Sequence, residues 1–434
     1  MLITGAELPD GRVRDVRTDE GQIAEVAQSL HSLPGEETID ADGLTLLPGA
    51  IDVHVHFRQP GHGHKETWAT GSRSAAAGGV TTVVDQPNTT PPTVDGAAFD
   101  EKAEFAANSA VNYGINGGVN DDWDPESLLS RPVFALGEVF LADSTGDMGI
   151  DEDRFEEALA AAADAGITVT VHAENADLFD ESAREGDAGG TGTEANADLW
   201  SQFRTAGAEI DAVEAACEAA ADAGVDIHVA HTSTPEAAEI AAEAGMTTEV
   251  TPHHLLLSRD DLDELGTFGR MNPPIRSESR REKLYELVAD GTVDVVATDH
   301  APHTAAEKET GLWEAPSGVP GVETMLPLLL QEVREGRLTL ERVRDLVAAT
   351  PAERFSLDRK GRIETGYDAD FTLVDLDDAT EISADALHTK CDWTPFEGHE
   401  AVFPQLTVVD GSVVFDGRAG DRFTAGLGAN VRGE

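Results

Sequence analysis

Between residues 49 and 350 the chain alternates between two hydrophobic rhythms. Short runs rich in Val, Ile and Thr are separated by alanine-rich stretches whose apolar residues recur at helical spacing. The runs read "AIDVHVHF", "VTTVVDQ", "VNYGINGGV", "VFALGEVFL", "ITVTVHAE", "DIHVAHTS", "MTTEVTPHH" and "VDVVATDHA". Eight strands with intervening helices in about 300 residues predict an α/β fold, a closed parallel (β/α)8 TIM barrel. Helix boundaries are marked in places: Thr234 and Pro235 open "TPEAAEIAAEAG" and Gly245 closes it, while Ser277 and Gly291 bracket "SESRREKLYELVADG". The two ends of the chain follow a different rhythm. "GRVRDVRTDEGQIAEVAQ", "GRIETGYDADFTLVDLDD" and "LTVVDGSVVFDG" alternate apolar and polar residues without a helical period. They predict one small β-rich, sandwich-like domain built from residues 1–48 and 356–434, leaving 49–355 to the barrel.

Polar residues gather at the ends of the predicted strands. In "DVHVHFRQPG", residues 52–61, alternation along a strand puts Asp52, His54, His56 and Arg58 on one face. Two imidazoles at that spacing suit a metal ion, and the guanidinium beyond them offers a place for an anion. His172 ends the run "VHAEN", His231 ends "VAHTST" and Asp299 lies in "ATDHAPH". A lone histidine at a strand end is ordinarily a hydrogen-bonded structural residue. Four histidines and an aspartate from four strands that converge on one barrel mouth predict a shared metal site. Asp299 is then placed both to hold an ion and to move a proton.

Strand parity sorts the remaining histidines. His228 lies three positions from His231 and is expected to face outward against a helix, and His300 is out of phase with Asp299. His62 and His64 sit in the loop "PGHGHKE" and are expected at the surface. His253 and His254, in "TPHHLLLS", are expected to play a supporting or structural part.

Charge changes the picture of the surface. Against 30 basic residues stand 83 acidic ones, a formal charge of −53 spread along the whole chain, and lysines occur only at positions 65, 102, 283, 308, 360 and 390. An evenly acidic, lysine-poor surface on an ordinary globular pattern points to adaptation to a salt-rich cytoplasm, where a Debye length of ~3 Å at 1 M screens the self-repulsion. It also excludes nucleic acid as a partner, since phosphates would find no counter-charge. No apolar run reaches the length of a membrane span and the N-terminus has no signal-peptide pattern, so a cytoplasmic protein without a membrane partner is expected. Cys217 and Cys391 form no disulfide framework, and Cys217 lies in an alanine-rich helix as a small buried residue.

The motifs "DVHVHFRQPG", "KETWATGSRSAAAGGVTTVVDQPNTTPPT", "VHAEN", "HTST", "MNPPIR" and "ATDHAPH" together resemble the amidohydrolase superfamily, and within it the dihydroorotases. The resemblance implies a small-molecule substrate, with reversible zinc-dependent cyclisation of N-carbamoyl-L-aspartate to dihydroorotate, the third step of pyrimidine synthesis. It assigns Arg58, Asn88 and His303 to the substrate carboxylate and Asn272 to the pyrimidine ring. It implies two Zn2+ ions sharing a hydroxide, with His54, His56, His172, His231 and Asp299 as ligands. Many such proteins bridge the ions with a carboxylated lysine near the end of strand 4. Here "RPVFALGEVFLADSTGD" has no lysine, and Glu138 aligns with that position. Two cations ~3.5–4 Å apart need an anion between them. Glu138 is therefore expected to bridge, with Asp143 in the following loop as the alternative and a single-ion site as the other outcome. The loop "HTAAEKETGLWEAPSGVPGVET" is expected to flank the substrate, with backbone contacts around Gly318. Competing readings are a hydantoinase or allantoinase, in which Arg58, Asn88 and His303 have no counterpart role, and a non-catalytic barrel scaffold. The sequence leaves a homodimer open.

Overall fold

The computed structural model describes residues 1–142, 148–424 and 426–433. Eight parallel strands lie among the described residues of the central region: β1 (Ala50–Val55), β2 (Val80–Asp85), β3 (Asn112–Ile115), β4 (Leu136–Ala142), β5 (Val169–Glu174), β6 (Ile227–Val229), β7 (Thr247–Val250) and β8 (Val295–Val296). They pair in sequence order as two arcs, β1 to β3 and β4 to β8. Backbone bridges Gly117–Leu136 and Val55–His300 join the arcs and close the barrel. β1, β2 and β5 are buried at every position. Helices cover these strands outside and packed side chains fill the inside, so both faces are buried and polar residues such as Asp52, His54, His172 and Glu174 are buried with the apolar ones.

Ile51, Val53, Val84, Phe134, Val295 and Ala297 form one apolar cluster with Phe355 and Leu357, and the helices bury a larger one around the strands. The helix Pro235–Glu243 starts as its sequence predicts, with Thr234 accepting from the Ala237 N–H. Ser277 stands before Glu278–Asp290 without a side-chain cap bond, its hydroxyl facing that of Ser279 at 3.2 Å.

Strands from both ends of the chain form one nine-stranded sheet. Its centre is the antiparallel pairing of Phe371–Val374 with Thr45–Pro48, which ties the segment after the barrel to the segment before it. Strands Leu2–Glu7, Val13–Asp19 and Gln22–Ala27 extend one side, and Pro404–Val409, Ser412–Asp416 and Arg422–Phe423 the other. Ile3, Val16, Leu46, Phe371, Leu373 and Leu406 make the sheet's own core. Thr372 and Thr407 hydroxyls donate to Gly79 O and Ala76 O (2.8 and 2.7 Å), docking the sheet against the end of the helix Trp68–Ala77. Other C-terminal residues touch the barrel itself: the Trp393 indole donates to His303 O, and Ala429 and Val431 pair with Tyr113 of β3. No helix among the described residues is long and apolar enough to cross a membrane.

Candidate active site

The strand ends bring their polar residues to one mouth of the barrel. His54 and His56 stand with ring centroids 5.3 Å apart, and their Nε2 atoms lie 3.5 and 2.9 Å from Asp299 Oδ1. His231 Nε2 and His172 Nδ1 lie 2.6 and 3.0 Å from Glu138 Oε1, while His54 Nε2 lies 3.5 Å from the other Glu138 oxygen. Two donor groups follow, His54–His56–Asp299 and His54–Glu138–His231, with His54 in both. His172 Nδ1 joins the second group, 3.0 Å from His231 Nε2. All six residues are buried. Asp143 lies outside the described residues.

The buried donors fit a cation. His54 Nδ1 faces Glu249 Oε1 at 2.6 Å, so in the neutral ring the proton sits on that nitrogen and Nε2 carries the lone pair. That Nε2 is buried and without a hydrogen-bond partner, between two carboxylates. Imidazole lone pairs and carboxylate oxygens aimed at common points are the ligands that transition-series dications take. His56 Nδ1 is held in turn by Asn88 Oδ1 at 2.7 Å. His172 Nε2 is held by Glu174 at 2.9 Å, and Glu174 is itself ion-paired with the buried Arg204. Each of these three imidazoles therefore has its second nitrogen fixed by an oxygen acceptor.

Beside the metal-type donors lies a small cavity lined by Arg58, Asn88, Asn272, His303, Ser317 and Gly318, and by His56, Glu138, His172, His231 and Asp299. Arg58 Nη2 is 3.1 Å from His303 Nε2, and Arg58 Nε donates to Pro302 O. Asn272 Oδ1 accepts from the Trp200 indole and the Ser317 hydroxyl, both at 3.1 Å, which turns its amide N–H groups away from these partners. Gly318 has φ +125°, and a Cβ there would stand 2.5 Å from Ala301 O, so only glycine lets this loop close over the strand end.

The structure brings all ten sequence-predicted site residues to this mouth. Asp52 shares their strand but serves another purpose, accepting from the Thr298 N–H and hydroxyl immediately before Asp299. Burial pushes the Asp52 carboxyl up to about 7 against those hydrogen bonds. His300 packs its ring against Phe57, and His254 bonds Thr251 and Pro273 O. His64 is exposed and His62 half-buried.

His228 corrects the outward reading: it is buried, with Nε2 3.1 Å from Glu249, Nδ1 2.8 Å from Thr247 Oγ1 and its ring against Phe355. Parity failed there because β6 ends at Val229 and His231 turns to φ +34°, so the two histidines do not belong to one regular strand. Sequence reasoning also passed over Glu249, which meets His54, His228 and the His231 N–H, and over Glu174. The available signal was an acid inside a β-branched strand, "MTTEV", and one beside a strand-end histidine, "VHAEN".

The sequence pattern of the amidohydrolase family matches residues 45–414. The chain belongs to the amidohydrolase family. Among its relatives in that family, a dihydroorotase of Halobacterium salinarum is 60% identical over 433 residues, covering 99% of both chains. A dihydroorotase of Methanosarcina mazei is 43% identical over 418 residues, 92% of this chain and 90% of the other. Among solved structures, an L-hydantoinase (dihydropyrimidinase) from Arthrobacter aurescens superposes with a TM-score of 0.92 at 27% identity, covering 98% of each chain. A D-hydantoinase from a Thermus species gives 0.89 at 27% identity over 99% and 98%.

Proposed function

We propose that this amidohydrolase is a zinc-dependent dihydroorotase that opens the ring amide of dihydroorotate to N-carbamoyl-L-aspartate and, in the biosynthetic direction, closes it with loss of water. One observation carries the reading. A paired cationic and imidazole donor set, Arg58 and His303, shares a small cavity with the oriented amide of Asn272 and with Asp299. A substrate with a carboxylate on one side and a cyclic imide or amide on the other matches those donors, whereas a hydantoin without a carboxylate leaves Arg58 unanswered.

His54, His56, Glu138, His172, His231 and Asp299 would hold the zinc. One Glu138 oxygen lies by His54, which belongs to both donor groups, and the other by His172 and His231, an arrangement that supports two ions with Glu138 as the shared anion. A bound dication supplies a Lewis acid and an acidified water at neutral pH. Within the chain, Arg58 and His303 fix the substrate carboxylate, a charge-assisted contact that sets orientation as well as affinity. Asn272 presents its amide N–H groups to a ring carbonyl. Asp299 takes a proton as water adds to the amide carbon and returns it to the departing ring nitrogen as the C–N bond breaks; ring closure runs the same transfers backward. Buried walls around Asp299 keep bulk water from competing for that proton.

The test is turnover of dihydroorotate, hydantoin and allantoin by the purified protein in molar KCl, with zinc counted by elemental analysis. Ring opening of dihydroorotate alone, with bound zinc, is expected. Hydantoin turnover with dihydroorotate inert would instead make the protein a hydantoinase, the activity named for its structural neighbours.

A further inference from the structure

Lys65 lies in the loop between β1 and the helix Trp68–Ala77, outside the cavity lining. Its Nζ is 3.0 Å from His303 Nδ1 and 3.1 Å from Glu307 Oε1. Glu307 is fixed by the N–H and hydroxyl of Thr304, the residue after His303. An ammonium group only donates, so His303 Nδ1 must present its lone pair to Lys65. The one proton of a neutral imidazole then sits on Nε2. That atom lies 2.9 Å from Ser317 O, which accepts it, and 3.1 Å from Arg58 Nη2, which cannot bond to a protonated nitrogen. Arg58 Nη2 therefore spends no N–H on His303 and keeps it for an anionic oxygen, which can share the Nε2–H with Ser317 O. Burial, with Arg58, Lys65 and Lys308 nearby, keeps the ring from taking a second proton.

We propose that Lys65 is a positioning residue for the substrate carboxylate: it holds His303 in the Nε2–H form and so keeps the Arg58–His303 pair open to an anion. The competing state is specific. With the proton on Nδ1, the Nε2 lone pair would accept from Arg58 Nη2 at the observed separation, and the anion site would close on itself. Lys65 prevents that state because its ammonium would then oppose an N–H. This inference rests on the dihydroorotase reading for the identity of the anion, while the proton position is independent of any substrate.

The experiment is a long-range 1H–15N correlation spectrum of the full-length protein labelled with 15N-histidine, His303 being assigned by its loss in His303→Gln. The wild-type ring is expected to show the Nε2–H pattern, and Lys65→Met a shift toward Nδ1–H. The same Lys65→Met variant should raise KM for dihydroorotate by about 10-fold or more with kcat and zinc content close to wild type, as expected for loss of ground-state binding. Lys65→Arg, which keeps a donor, should recover most of the lost affinity. A wild-type ring carrying Nδ1–H overturns the proposal, and so does an unchanged KM in Lys65→Met. Should that variant fail to fold, the wild-type spectrum alone decides. If the wild-type protein ignores dihydroorotate altogether, the functional reading falls, and the spectrum still judges the proton position.

Discussion

At the scale of single residues, the site concentrates backbone strain where its chemistry lies. Arg58, His231 and Asp299 have φ of +64°, +34° and +45°, left-handed conformations that cost non-glycine residues ~1–3 kcal/mol each and persist only where surroundings impose them. For Asp299 the imposing contacts are the His56 imidazole and, through Thr298, the Asp52 carboxylate. Asp299→Asn should therefore fold as wild type yet lose at least ~1000-fold in turnover in both directions, because the amide cannot shuttle a proton; a variant keeping most of its activity would assign the proton to another group. Arg58→Lys should raise KM for dihydroorotate about 10-fold or more while bound zinc stays constant, since lysine loses the two-pronged geometry. His172 makes a pH prediction. Burial disfavours its charged form, but Glu138 and Glu174 outweigh burial and push the ion-free ring up to about 9. A metal ion must then displace a proton from it at neutral pH. Against burial, Glu249 and Glu138 push His54 up as well, so apparent zinc affinity, measured by competition with a chelator, should rise at least about 10-fold per pH unit from neutral pH up to that value. A pH-independent affinity would mean that His172 stays outside the coordination sphere.

At the scale of elements, legibility followed regularity. The alternation in β1 placed His54 and His56 together because that strand keeps its pleat up to Val55. The same count misplaced His228, since β6 spans three residues and the chain leaves strand geometry before His231. Glu249 was invisible for a different reason. An acid in a strand acquires meaning only when pairing brings β7 beside β6, so that its oxygens meet His54 and His228, 195 and 21 positions away in sequence. Lys65 is equally silent until the loops after β1 and β8 meet. β4 carries the next prediction. Gly137 precedes Glu138 with φ +150°, and a Cβ there would lie 1.8 Å from Thr170 Oγ1 and 2.8 Å from Thr170 O on β5. Close approach of the two strands at this point is what aims the Glu138 carboxylate at His172 and His231. Gly137→Ala must separate them, at about 1–3 kcal/mol for overpacking. The expected result is a lower melting temperature together with reduced zinc content; full zinc occupancy at wild-type stability would show that Glu138 does not depend on this contact.

At the scale of the whole molecule, the acidic surface and the anionic substrate pose one electrostatic problem. A formal charge of −53 repels both itself and a carboxylate approaching from solution. The three buried lysines, Lys102, Lys308 and Lys360, are each tied into internal hydrogen bonds, so the scarcity of lysine is felt mainly outside. The helix Ala206–Ala223 displays the consequence on a single face. Glu214, Glu218 and Asp222 follow one another at i, i+4 spacing, all exposed, which makes two like-charge contacts in a row. Such pairs are each unfavourable by ~0.2–0.5 kcal/mol at low salt, and an attractive pair gains as much. Glu218→Lys converts both contacts at once, with Glu214 placed four residues toward the N-terminus, the favourable order for a Glu–Lys pair. The Debye length falls from ~10 Å at 0.1 M to ~3 Å at 1 M, so the benefit must shrink as KCl is added. Wild-type melting temperature should climb with KCl over that range. Glu218→Lys should melt about 1–2 °C higher than wild type at 0.1 M KCl and match it within error near 2 M. Parallel curves at all salt concentrations would trace the gain to helix propensity or packing, and a wild-type protein indifferent to KCl would remove screening as the reason this surface is tolerated.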